Sequence, residues 1–300
     1  MDNNILVNFE EIQEQASLSE ITIPLLVVFD IDETLLQFIG PLAYKYWEEL
    51  DISLKNKLYE KTTIYDNPEK RQCIIFRPHI IDLLYFVKNN NTWLKIALWT
   101  YSDYEYAQSI KNIMIRIFNL PEDIFEFAWC DEDMFEDDYS PKDLSLIWDK
   151  YEQFNKFNTF IVDDLLTNIN HENNKKNSIY IDKFAPFGAT KQRENATEIM
   201  IDNAINDNIF LHLIFIICLI KIDIAGCSNE DIIEAWNNES IFDIDKWNKR
   251  NNNKILNYFN NNIPQMLQIK NISAGGKKKS NKKRSNKKRS NKKVKKSKNN

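Results

Sequence analysis

Short apolar runs recur along the first two thirds of the chain and are separated by polar or turn-forming residues. One run, Val-Val-Phe at 27–29, passes directly into Asp30 and, two residues later, Asp32. Continuous runs of β-branched and aromatic residues are typical of buried parallel strands. The pattern predicts strands over residues 24–29, 73–76, 93–100, 124–129, 160–162 and 178–181.

Stretches with helical spacing of apolar residues lie between these runs. They predict helices over residues 36–61, 80–88, 104–118, 142–152 and 203–222. Pro78 and Pro141 stand at favoured first-turn positions, and Asp103 is a suitable N-cap. Because strands alternate with helices, the pattern predicts an α/β fold with a Rossmann-like parallel sheet flanked by helices.

The net charge of −5 hides two regions of opposite sign. Residues 277–300 carry 14 Lys or Arg and no acid, which leaves a balance of −19 in residues 1–276. The tail repeats Ser-Asn-Lys-Lys and cannot build a core, so we expect it to be disordered. Such a tail can bind a polyanion such as nucleic acid, direct the chain to the nucleus, or simply keep it soluble.

Cysteine usage and apolar run lengths indicate a compartment. The four cysteines form no Cys-x-x-Cys pair and the three histidines are scattered, so zinc and disulfide frameworks are not expected. The longest apolar run, residues 209–220, is too short to cross a bilayer and predicts a buried helix. No secretory signal is visible. We therefore expect an intracellular protein, cytoplasmic or nuclear, without a membrane partner.

The acidic pair Asp30 and Asp32 follows the first predicted strand. Open α/β sheets bind ligands in a crevice outside the carboxyl ends of their strands. Paired carboxylates there can hold a divalent cation, and one can attack while the other moves a proton. A strand ending in an acidic turn has the same residues, so this pair alone leaves both interpretations open.

Other chemically competent residues follow in order at strand ends or a helix start. Thr100 ends the run Ile-Ala-Leu-Trp-Thr, Lys142 follows Pro141, and Asp163 and Asp164 follow Phe-Ile-Val. This order is much harder to obtain by chance than one acidic pair.

These residues carry a family resemblance. Asp-x-Asp-x-Thr at 30–34 resembles motif I of the haloacid-dehalogenase superfamily. The segments at 76–78, 98–107, 142–144, 158–164 and 177–179 are similar to those of NLI-interacting-factor-like phosphatases, which include phosphatases of the RNA polymerase II C-terminal domain. The resemblance implies the haloacid-dehalogenase fold and a phosphoric monoester hydrolase of the protein serine/threonine phosphatase type.

The resemblance also implies residue roles. Asp30 would attack phosphorus and form an aspartyl phosphate, and Asp32 would protonate the leaving oxygen and then activate water. Thr100 and Lys142 would bind the phosphoryl oxygens.

The implied cofactor is Mg²⁺. Asp30, the main-chain carbonyl of Asp32, and Asp164 would hold it, and Asp163 would be either a ligand through water or an orienting group. Leu165-Leu166 departs from the family's usual Ser-Pro beside this site, and His79 replaces a usual Gly.

The sequence also bears on the substrate. The stretch between Leu36 and Cys73 is too short for a large cap domain, and an uncovered cleft suits a phosphorylated protein or peptide. Two alternatives remain: a nucleic-acid terminal phosphatase, favoured by the basic tail, and a catalytically silent binding module. The predicted organisation is an N-terminal extension (1–20), a phosphatase-like domain (21–225), a helical extension (226–272) and the disordered basic tail (273–300).

Overall fold

The computed structural model describes residues 24–133, 141–156, 158–174, 177–188 and 198–224. The strands of this part, in chain order, are β1 (Leu25–Phe29), β2 (Leu36–Ile39), β3 (Ile64–Asn67), β4 (Gln72–Phe76), β5 (Leu94–Trp99), β6 (Phe125–Trp129), β7 (Thr159–Asp163) and β8 (Ser178–Tyr180). The helices are α1 (Tyr44–Glu49), α2 (Ile52–Lys61), α3 (Ile80–Asn89), α4 (Tyr104–Ile117), α5 (Ser145–Lys150), α6 (Leu166–Ile169), α7 (Glu198–Ile205) and α8 (Ile209–Ile224).

A five-stranded parallel sheet with the order β6-β5-β1-β7-β8 forms the centre of the fold. Strand β1 is buried along its whole length because alternate side chains pack into different clusters. Val27 and Phe29 join one hydrophobic cluster, and Leu26 and Val28 join the other. The predicted α/β class, with helices flanking a parallel sheet, is confirmed.

A smaller antiparallel sheet, β2-β4-β3, lies between β1 and β5 in the chain. Its side chains pack with α1, α2 and α7 around Trp47, Leu58 and Ile75. This small sheet and helices α1 to α3 are all that separates β1 from β5, so no large cap domain interrupts residues 24–133.

The helix predicted over residues 36–61 is wrong at its start. Residues Leu36–Ile39 form β2 and pair with Cys73–Phe76 of β4, and the helical part begins only at Tyr44. The polar member of this strand, Gln37, is buried and binds the backbone: its amide donates to Gly188 O at 2.9 Å and its carbonyl accepts from the Phe187 N–H. Tertiary pairing therefore outweighs the local helical spacing.

The helix predicted over residues 203–222 is two helices. Helix α7 ends at Ile205 and α8 begins at Ile209. The side chain of Asp207 causes the break, because it accepts the Ile209 N–H at 2.9 Å and pairs with buried Arg77 at 2.7 Å.

Helix α8 packs on the sheet through Phe210, Leu213 and Ile217, which are buried as the prediction of a buried helix requires. By length and composition alone, one stretch of the described residues, Glu198–Cys218, could span a membrane. In the 18-residue apolar window of this stretch, 44% is buried inside the fold.

The predicted N-terminal extension (1–20), the helical extension (226–272) and the basic tail (273–300) lie outside the described residues. These domain boundaries, and the expected disorder of the tail, therefore stay predictions.

Candidate active site

Three neighbouring strands bring polar side chains to one edge of the parallel sheet. Asp30 follows β1, Thr100 follows β5, and β7 ends in Asp163 followed by Asp164. Strand β1 lies between β5 and β7. The chain adds β5 and β6 on one side of β1 and then crosses over to add β7 and β8 on the other side. This is the kind of switch point where open α/β sheets bind ligands.

A pocket of about 450 Å³ opens at this edge. Asp30, Asp32, Thr100 and Asp164 all contribute to its wall, so residues far apart in the chain share one cavity. Lys142 and Asp163 lie behind the wall, fully buried. The complete lining is Asp30, Asp32, Glu33, Gln37, Phe38, Thr100, Tyr101, Ser102, Asp103, Tyr106, Asp164, Leu165 and Lys183.

The Lys142 ammonium joins two carboxylates. It contacts Asp30 Oδ1 and lies 2.9 Å from Asp163 Oδ2. Burial by itself would lower the pKa of Lys142, but Asp30 and Asp163 outweigh it and raise that pKa. Burial raises the pKa of Asp30, Asp163 and Asp164 add to this effect, and Lys142 opposes it. The lysine therefore stays protonated and supplies the positive charge that a buried Asp30 carboxylate needs.

Asp163 is fully engaged by its surroundings. Its Oδ1 accepts the Leu165 N–H at 2.7 Å, and its Oδ2 accepts from the Asn168 amide at 2.8 Å as well as from Lys142. The side-chain oxygen Oδ1 of Asn168 in turn accepts the Lys142 N–H at 3.1 Å and the Tyr101 hydroxyl at 2.5 Å. Asp163 and Asn168 thus hold Lys142 at both its backbone and its ammonium.

This arrangement also corrects the start of the helix predicted over residues 142–152. Helix α5 begins at Ser145, three residues after Lys142. The Lys142 N–H and C=O bond to the side chains of Asn168 and Asn174 instead of joining a helix. Lys142 therefore stands in an irregular segment before the helix, bonded to Asn168 of helix α6 and to Asn174 in the turns that follow it.

Asp164 faces the pocket and contacts two side chains. Thr34 Oγ1 donates to its Oδ1 at 3.0 Å, and the Lys183 ammonium lies 3.0 Å from its Oδ2. Lys183 also pairs with Glu33 at 2.7 Å. One acid of the second pair, Asp164, thus belongs to the pocket, whereas its neighbour Asp163 orients Lys142.

Asp32 lies against an aromatic wall. The Tyr106 hydroxyl donates to Asp32 Oδ1 at 2.5 Å. The Tyr106 ring packs edge-on against Phe38 with 5.4 Å between the ring centroids. Tyr106 thus holds one oxygen of Asp32 while its ring forms an apolar side of the pocket.

Arg77 connects three segments of the chain next to the pocket. Its guanidinium is buried and donates to the carbonyl oxygens of Thr34 (3.0 Å) and Asp182 (2.7 Å) while pairing with Asp207. It therefore links the loop after β1 to the segment after β8 and to the start of α8.

Sequence reasoning missed three side chains that contact the predicted site residues: Tyr106, Asn168 and Lys183. Tyr106 falls inside a segment that carries the family resemblance, which was a usable signal. Asn168 and Lys183 follow β7 and β8, and nothing local marks them as partners of Asp163 and Asp164.

The oxygen donors of the pocket fit a magnesium ion. Within the described residues, no group of three or more His, Cys, Asp or Glu side chains is arranged to hold a metal. Mg²⁺ usually needs only one or two carboxylates and keeps waters and substrate oxygens as its other ligands. Asp30 and Asp164 both line the pocket, so a bound dication would offset the repulsion between these two carboxylates.

Comparison with known proteins identifies the family of this chain. The family profile of NLI interacting factor-like phosphatases matches residues 25–203. The chain therefore belongs to the NLI interacting factor-like phosphatase family, and its class is that of the phosphoric monoester hydrolases. The resemblance inferred from the sequence is confirmed.

Solved structures similar to this chain include two of Fcp1, an RNA polymerase II CTD phosphatase. The fission yeast protein bound to beryllium fluoride is 12% identical with a TM-score of 0.41, and the match covers 89% of this chain and 69% of that one. A second Fcp1 structure is 12% identical with a TM-score of 0.39 and the same coverage. Comparison with curated proteins found no match.

Proposed function

We propose that this phosphatase is magnesium-dependent, forms an aspartyl phosphate on Asp30, and acts on phosphoserine or phosphothreonine in proteins. The observation that carries the proposal is the shared pocket of Asp30, Asp32, Thr100 and Asp164, with the Lys142 ammonium directly behind Asp30.

The first step would transfer the phosphoryl group to Asp30. A carboxylate oxygen of Asp30 attacks phosphorus, the bond from phosphorus to the leaving oxygen breaks, and Asp32 donates its proton to that oxygen. The Tyr106 hydroxyl supports this role because it holds one Asp32 oxygen in place. In the second step Asp32 takes a proton from water, which attacks phosphorus and releases phosphate and free Asp30.

Two side chains would bind the transferred group. Lys142 has three ammonium donors, and Asp30 and Asp163 use two of them. The ammonium also lies 5.1 Å from the centroid of the Tyr101 ring, and its third donor would turn to a phosphoryl oxygen. Thr100 Oγ1 accepts the Ser102 N–H at 3.1 Å, and its own O–H would be donated to the phosphoryl group. Donors fixed before the reaction stabilise charge with little reorganisation.

The proposed ion site uses oxygen donors alone. Asp30, Asp164 and the main-chain carbonyl of Asp32 would hold Mg²⁺, which when bound supplies positive charge to the phosphoryl oxygens. Asp163 would orient Lys142 and would not be a ligand, because it is fully buried behind the pocket wall, where its oxygens accept from Lys142, Asn168 and the Leu165 N–H.

The substrate class follows from access to the pocket. No large cap covers residues 24–133, which favours a phosphorylated protein or peptide over a small metabolite. We further propose an intracellular location, cytoplasmic or nuclear. The basic residues 277–300 favour a nucleic-acid partner or a nuclear-targeting role.

Hydrolysis of an aryl phosphate by the full chain tests the chemistry. We expect turnover with Mg²⁺, little after chelation, and loss on Asp30→Asn. Asp123→Asn is a matched control at an exposed position and should keep activity. Turnover by Asp30→Asn at the wild-type rate would contradict the proposal, and absence of any turnover would indicate a binding module.

A substrate panel tests the proposed class. Phosphoserine and phosphothreonine peptides should be hydrolysed faster than sugar phosphates and terminally phosphorylated oligonucleotides. Preference for the oligonucleotide would favour the nucleic-acid alternative, and preference for sugar phosphates would contradict an open cleft for macromolecules.

A further inference from the structure

Lys183 places a positive charge on the pocket wall between two acids. Its ammonium lies 2.7 Å from Glu33 Oε2 and 3.0 Å from Asp164 Oδ2. The Lys183 side chain is 49% exposed, whereas that of Asp164 is only 2% exposed. Among the pocket-lining residues described above, Lys183 is the cation.

The backbone fixes where this ammonium can reach. The Phe184 N–H donates to Glu33 O at 2.6 Å, and the Phe184 side chain is buried. The Asp182 carbonyl accepts from the buried Arg77 guanidinium. Lys183 is therefore presented by an anchored segment, and only its flexible four-carbon stem can move.

We propose that Lys183 is a resident counter-ion that occupies the Oδ2 side of Asp164 in the metal-free enzyme and competes with Mg²⁺ for this carboxylate. The inference rests on the proposed function, which assigns Asp164 to the ion. An ammonium and a dication on the same carboxylate repel each other, so Lys183 must withdraw from Asp164 when the ion binds.

Glu33 provides the place to which the ammonium withdraws. Its Oε2 is already the nearer of the two acid partners, at 2.7 Å against 3.0 Å for Asp164. Lys183 can therefore leave Asp164 and still keep an ion pair at the rim of the pocket. This exchange would let the site keep Asp164 in position before the ion arrives, at the cost of weaker ion binding.

Titration calorimetry of the full chain with Mg²⁺ alone, without substrate, tests the competition. Lys183→Met should bind Mg²⁺ roughly tenfold more tightly than the wild type, which corresponds to about 1.4 kcal/mol. Lys183→Arg retains the charge and should stay close to the wild type. Lys57→Met is the matched control, because Lys57 pairs with Glu198 and Asp202 outside the pocket; it should bind Mg²⁺ as the wild type does.

The outcomes separate this inference from the proposed function. If Asp164→Asn abolishes Mg²⁺ binding while Lys183→Met leaves it unchanged or weakens it, the competition is wrong and the ion site stands. If Asp164→Asn leaves Mg²⁺ binding unchanged, both the ion site and the competition are overturned.

A second comparison tests the role of Glu33. Glu33→Gln should weaken Mg²⁺ binding in the wild-type background, because Lys183 then has only Asp164 as an acid partner. In the Lys183→Met background the same change should have a much smaller effect. Equal weakening in both backgrounds would mean that Glu33 acts through its charge alone and would overturn its anchoring role.

Discussion

The Lys142 ammonium lies 2.9 Å from Asp163 Oδ2, and both side chains are fully buried. The same ammonium contacts Asp30, the proposed nucleophile. One lysine therefore pairs with two carboxylates beneath the pocket. The stability of the fold and the protonation of the proposed nucleophile Asp30 thus depend on the same positive charge.

Removal of this lysine should destabilise the protein strongly. Lys142→Met leaves Asp30 and Asp163 buried without a counter-charge, and breaking a buried pair in this way typically costs about 3–5 kcal/mol. Urea unfolding should show this loss in the free energy of unfolding. Lys150→Met is the control, because Lys150 is exposed and its acid partner Asp133 lies 3.7 Å away, farther than Asp163 lies from Lys142. The effect of this control on the free energy of unfolding should be within about 0.5 kcal/mol. Equal effects of the two variants would contradict the proposed charge balance.

The contribution of Lys142 should disappear in alkali. Although burial lowers the pKa of Lys142, the two carboxylates raise it above the unfolded value. A raised lysine pKa stabilises the fold fully below the unfolded pKa of about 10.4, and this stabilisation declines as pH rises toward the folded pKa. The difference in unfolding free energy between wild type and Lys142→Met should be constant from neutral pH to about pH 10 and then shrink. A difference that grew with alkaline pH would have the wrong sign.

Asn168 should matter for catalysis although it does not line the pocket. In Asn168→Asp the amide donor to Asp163 is lost and a second carboxylate faces the first. Because displaced catalytic groups can lose on the order of 100-fold in rate, we expect a fall of that size in kcat. Asn170→Asp, at an exposed position two residues later, serves as the control. Wild-type kcat in Asn168→Asp would exclude a positioning role.

His79 should cost the fold some stability. It occupies the N-cap position of helix α3 without a side-chain cap hydrogen bond, and its φ of 63° lies in the left-handed region that favours glycine, which the family usually has here. We expect His79→Gly to raise the free energy of unfolding by about 0.5–1 kcal/mol. His79→Ala keeps the Cβ and loses the contact with Asp82, so it should give no gain. A gain in the alanine variant as large as in the glycine variant would show that the side chain, and not the backbone angle, is unfavourable.

Much of the fold was readable from the sequence because buried parallel strands have a strong local signature. The strands β1, β5 and β7 fall where apolar runs predict them, and the residues at their carboxyl ends meet at one edge as parallel topology requires. The sequence alone could therefore predict that Asp30, Thr100 and Asp164 lie together in one candidate site.

The errors arise where a distant partner decides local structure. Residues Leu36–Ile39 become a strand because β4 offers a matching edge more than thirty residues away. The break before α8 depends on the pairing of Asp207 with Arg77, which are 130 positions apart. Local periodicity contains no information on either contact.

The same limit applies to the supporting side chains. Asn168 lies in helix α6 after β7 and Lys183 lies in the segment after β8, and their partners are known only once the strands are ordered in the sheet. The sequence indicated the proposed reacting groups, whereas the side chains that contact them could be identified only from the tertiary structure.

The central claim is that Asp30 carries the phosphoryl group during turnover. The most direct test is an acid quench of the full chain during turnover of a phosphorus-labelled aryl phosphate with Mg²⁺, followed by peptide mapping. We predict an acid-stable, hydroxylamine-labile label on the peptide that contains Asp30, and no label in Asp30→Asn. Turnover without a trapped label, or a label on a different residue, would contradict the account.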